Sequence, residues 1–78
     1  MPHNDEIKST LSFEEKLVKL LDHWLKHNED HSETYMDWAR KAKDKGQGQA
    51  ASLIEDAADM TLKINAKFRK AVEIIKNS

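Results

Sequence analysis

Between Phe13 and Ala42, apolar, aromatic and amide residues recur at three- and four-residue intervals: Phe13, Leu17, Leu20, Leu21, Trp24, Asn28, His31, Tyr35, Trp38 and Ala42. Glu15, Lys19, Asp22, Lys26, Glu29, Glu33 and Asp37 fill the other side. At 100° per residue this is one broad stripe on an α-helix. Ser12 is a capping residue, with Glu15 three positions later and Leu11 just outside, so the helix starts with a capping box and a staple residue. The pattern runs to about Lys45. There Lys45-Gly46-Gln47-Gly48 brings both glycines of the chain together. Gly46 suits a left-handed position after a helix end, and Lys41, Lys43 and Lys45 complement the negative end of the helix dipole.

A second periodic segment follows, with Ala50, Leu53, Ala57, Met60, Thr61, Ile64, Phe68, Ala71, Val72 and Ile75 on one face. No strand pattern appears. The expected fold is all-α, an antiparallel two-helix hairpin. Residues 1–11 form a flexible N-terminal segment and residues 12–77 a single hairpin domain with its turn near 45–48. Folding back at Gly46 brings Tyr35 and Trp38 near Ala57, Ala58 and Leu53, and brings Trp24, Leu21 and Leu17 near Phe68, Ala71 and Ile75. Large residues then stand against small ones, as close packing requires.

Two helices cannot enclose stripes this wide. Val18, Leu25, Met36, Ile54 and Val72 flank them, and an isolated hairpin would leave a large apolar patch in water. The simplest closure is a homodimer forming a four-helix bundle, with an unidentified protein partner as the other way to cover the face.

Composition narrows the role. With 78 residues the chain holds one domain and a small core, so association is expected to supplement it. There are no cysteines, which removes disulfides, thiolate ligands and a thiol nucleophile. Thirteen Lys and Arg against 14 Asp and Glu give a formal charge of -1 with the signs interspersed, so nucleic-acid binding is not expected. The basic run Lys63, Lys67, Arg69, Lys70 and Lys76 fits a helix C-terminus equally well. No signal-like segment or membrane-length apolar run is present, which points to a cytoplasmic protein without membrane contact. No phosphate loop, dinucleotide fingerprint, metalloprotease motif or nucleophile triad occurs, so catalysis is not expected.

The distinctive chemistry is a ladder of three histidines, His23, His27 and His31, spaced by four. No cofactor is required by this pattern, but histidines at i and i+4 can present two ring nitrogens to one Zn²⁺ or Ni²⁺, and a two-fold dimer would duplicate them. On the stripe His31 is nearly central, His27 at the edge and His23 to the side, so His27 and His31 are the first candidates. The opposing helix offers Thr61, Leu62, Asn65 and Ala66 at this level, with no carboxylate to complete a shell. The competing reading is a polar layer in the core or interface, built from Asn28, His31, Thr61 and Tyr35 and setting the pairing of the helices. Trp24, Trp38 and Phe68 are then packing aromatics.

The run Leu20-Leu21-Asp22-His23-Trp24-Leu25-Lys26-His27-Asn28, continued by His31, Tyr35, Trp38-Ala39 and Lys41-Ala42, resembles a small, functionally uncharacterised prokaryotic helical-hairpin domain with a His-Trp-x-x-His-Asn-x-x-His segment. The resemblance implies a hairpin from about Phe13 to Ile75 and brings no activity. Two functions follow from the residues. One is a homodimeric structural or protein-interaction module; the other is a divalent-metal-binding or pH-responsive bundle that uses the histidines of the first helix.

Overall fold

The computed structural model describes residues 11–78, so the proposed N-terminal segment lies almost wholly outside the described residues. Two helices make up the fold, α1 (Phe13–Asp44) and α2 (Gly48–Lys76). Ser12 caps α1 as the sequence predicts: its Oγ accepts from the Glu15 N–H at 3.1 Å, and Glu15 Oε1 accepts from the Ser12 N–H at 2.9 Å. Hydrogen bonds from the Ser12 backbone and then its hydroxyl hold the Glu15 carboxyl below the usual carboxylate range. This cap therefore supports the helix above that range and fades as acid protonates the carboxylate.

At the other end of α1 the Gly46 N–H donates to Lys43 O at 3.1 Å and the Gln47 N–H to Ala42 O at 2.8 Å. These two bonds are the Schellman pattern, which satisfies the last carbonyls of a helix and requires a left-handed residue between them. Gly46 supplies it with φ 84°. A side chain there meets no neighbouring atom, so its cost is purely conformational. Gly46→Ala is expected to lose about 1 kcal/mol in a thermal melt. Gly48→Ala, inside α2 with φ outside the left-handed region, should be neutral or slightly stabilising by the same measurement.

The helices pack along a seam of Leu21, Leu25, Asn28, Ser32, Tyr35 and Ala39 on α1 against Ala51, Ile54, Ala58, Thr61, Asn65, Phe68 and Val72 on α2. Its fully covered members are mostly small. Ala39 and Ala58 have no exposed surface, and Ser32 Oγ reaches the Ala58 carbonyl at 3.2 Å, so side chains of one or two heavy atoms let the backbones approach closely. On α2 the buried positions Ala51, Ala58, Asn65 and Val72 fall seven residues apart, the repeat of a left-handed coiled-coil seam.

This seam is rotated from the stripe read in the sequence. Leu25 and Ile54, expected to flank it, lie in it. Phe13, Trp24, Trp38, Leu53 and Met60, expected on the stripes, are exposed. The physical reason is that hydropathy follows apolar mass, whereas the contact between two helices is set by what lets them come close. The structure supports a two-helix hairpin; the four-helix bundle is no part of it.

Candidate functional site

The seam divides the surface into two unlike flanks. On one side α1 carries Glu29, Glu33, Asp37 and Arg40, and α2 carries Arg69. Arg69 bridges to Glu29 across the helices at 2.6 Å, Arg40 pairs with Asp37, and Met36 and Leu62 lie in the groove between the carboxylates. The opposite flank is apolar. Here Trp24 leans on Phe68 with ring centres 5.7 Å apart, and Leu20, Trp38, Leu53, Met60 and Ile64 stand on the same side by helical spacing. Trp38 remains 60% exposed, Leu53 70% and Met60 63%. Lys41 Nζ lies 4.4 Å from the Trp38 ring centre, a cation–π contact at the rim.

The histidines belong to this apolar flank. His27 and His31 direct their Nε2 atoms at each other at 2.8 Å, with ring centres 4.3 Å apart and the rings nearly perpendicular. One ring must donate its N–H and the other accept with a lone pair. His23 stacks on His27 at 6.1 Å and Tyr35 on His31 at 5.8 Å, giving a continuous run of four rings along α1. All three histidines are exposed, His31 included, because the rotation that brings Asn28 and Ser32 into the seam carries His31 out onto the flank.

The metal expectation is corrected. Among the described residues no group of three His, Cys, Asp or Glu side chains is placed to hold an ion, so Zn²⁺ or Ni²⁺ at His23, His27 and His31 is not supported. The His27–His31 contact engages the Nε2 atoms of both rings, and His23 meets its neighbour face to face.

A polar contact between amides crosses the seam. Asn28 Nδ2 donates to Asn65 Oδ1 at 3.0 Å, and Asn65 Nδ2 donates to the Leu25 carbonyl at 2.9 Å. Asn65 is the largest fully buried side chain among the described residues. Thr61 instead bonds within its own helix, to Ala57 O at 2.9 Å, and His31 takes no part. Asn65 and Ser32 were not singled out by periodicity. The available signal was the seven-residue spacing of small and amide positions on α2, which hydropathy does not weight. With Asn65 and Ser32 both bonded, no buried side-chain polar atom among the described residues lacks a partner.

A helical hairpin with one apolar and one ion-paired flank is a small all-α, two-helix domain in class. The chain belongs to the family described as a domain of unknown function, DUF8180, which matches residues 17–75. That match spans most of both helices and the turn between them. It corrects the resemblance built on the His-Trp-x-x-His-Asn-x-x-His segment, because the family is generic and the three histidines form no metal cluster. No curated protein and no solved structure matches the chain significantly. Neither described helix is long and apolar enough to cross a membrane.

Proposed function

We propose that this chain is a homodimeric helical interaction module, with a non-catalytic role in the cytoplasm, whose apolar flank is covered by the same flank of a second copy. The observation that carries this reading is the asymmetry of the two sides. Glu29, Arg69, Asp37 and Arg40 cover one with ion pairs suited to water, while Phe13, Leu20, Trp24, Trp38, Leu53, Met60 and Ile64 leave the other unpaired. Their exposed fractions amount to something on the order of 700 Å² when a full large side chain is taken as roughly 150–250 Å², close to the ~800 Å² per partner of a stable interface. Patches of this size on a soluble chain mark contact surfaces. A two-fold pairing uses one patch twice and leaves the charged flanks in water.

Sedimentation of the chain at micromolar concentration is expected to give twice its 9.0 kDa mass. Trp38→Glu combined with Met60→Glu should return it to the monomer mass and raise the dissociation constant at least ~1000-fold, because carboxylates would be desolvated without partners. Both side chains are mostly exposed in the hairpin, so helicity should be retained. A wild-type chain that stays monomeric at high micromolar concentration would refute the reading.

A further inference from the structure

We infer that His27 and His31 act together as a proton-responsive element that loosens self-association as pH falls, a regulation that rests on the homodimer proposed above. The pair lies on the apolar flank between Trp24 and Trp38, so a second copy that covers those rings also covers the imidazoles. With both rings neutral, the 2.8 Å contact uses one Nε2–H and one Nε2 lone pair. A first added proton can go to the free Nδ1 of the donor ring. The bridge survives, but the pair then carries a positive charge into an apolar contact. A second proton has only the bridging lone pair to occupy. Two N–H groups would then point at each other, and the rings must swing apart into water.

The surroundings push in the same direction. On α1 the neighbours in ring contact are His23 and Tyr35, with Lys26 and Asp30 bordering the pair at the solvent rim. On α2, Met60 and Ile64 stand on the same flank by helical spacing, with Lys63 and Lys67 beside them. By helical spacing, Glu55, Asp59 and Glu73 of α2 fall toward the other flank and Asp56 points outward, so among the described residues α2 places no carboxylate against the imidazoles. Asp30 is exposed, and its attraction for a proton is screened by water and salt. Histidine is also the side chain whose ordinary charge change falls nearest neutral pH.

The sign and size follow from linkage. Protons excluded from the dimer but accepted by the monomer weaken association as pH drops. One excluded proton per protomer, hence two per dimer, can weaken the dimer up to about a hundredfold per pH unit, and a weakening of roughly a hundredfold between pH 8 and pH 5.5 is expected.

Sedimentation equilibrium of the full chain at pH 8 and pH 5.5, at constant ionic strength, tests this. The wild type should weaken about a hundredfold, and the His27→Gln, His31→Gln variant, its helicity checked by circular dichroism, should dimerise almost equally at both. A wild-type change below about threefold would overturn the switch while leaving the dimer standing; so would an unchanged pH response in the double variant, which would place the effect elsewhere. A chain that is monomeric at pH 8 would remove the dimer and the switch together.

Discussion

Asn65→Ala is expected to be the most damaging single truncation in the hairpin, costing about 3 kcal/mol. The Asn65 amide has no exposed surface and bonds two groups of the facing helix: it accepts from Asn28 and donates to the carbonyl of Leu25. Alanine removes both bonds, strands the Asn28 amide at a part-buried level and opens a gap between helices with no third layer to close it. A single core of this size is worth only a few kcal/mol in total. The variant should therefore be substantially unfolded at 25 °C. Urea denaturation followed by circular dichroism, at matched protein concentration so that association contributes equally, measures the difference. A loss under 1 kcal/mol would mean that the amide bridge is peripheral to stability.

The second large effect comes from adding atoms. Ala58 is fully covered, and its backbone carbonyl receives the Ser32 hydroxyl from α1. Ala58→Leu puts three further carbons where two backbones already meet, so the helices must separate locally and the Ser32 bond must break. Overpacking of this kind costs about 3 kcal/mol. Ala66→Leu, an exposed position on the same helix, should stay within about 0.5 kcal/mol of wild type. The pair of melting temperatures separates a steric effect at the seam from any general effect of leucine on α2. Equal values would show that the helices are not closely apposed at Ala58.

These two positions also show where sequence reading reached and where it stopped. Both helices, the Ser12 and Glu15 cap, the Gly46 turn and the level of Trp24 against Phe68 were legible, because each depends on local chemistry or on distance from the turn. The rotation of the helices about their axes was not. Large apolar residues dominate any amphipathic pattern, and here they lie mainly beside the seam, while Ser32, Ala39, Ala51, Ala58 and Asn65 line it. The pattern therefore pointed between the intrachain contact and the open flank. His31 was misplaced for the same reason, since it stands at the centre of the apolar mass and outside the contact between the helices. Asn28 was recognisable as an interface amide, but its partner could not be assigned until the rotation was known.

The seven-residue ladder on α2 carries one further implication. Alanine steps are nearly interchangeable, so Ala51 could stand where Ala58 stands with little change in close contact, and such a seam is almost symmetric to sliding by one repeat. Asn65 breaks that symmetry. Its amide finds Asn28 and the Leu25 carbonyl at only one setting of the two helices, and any slide would leave polar groups dry and unbonded. In a molecule held together by its least distinctive residues, a single amide serves as the origin of coordinates.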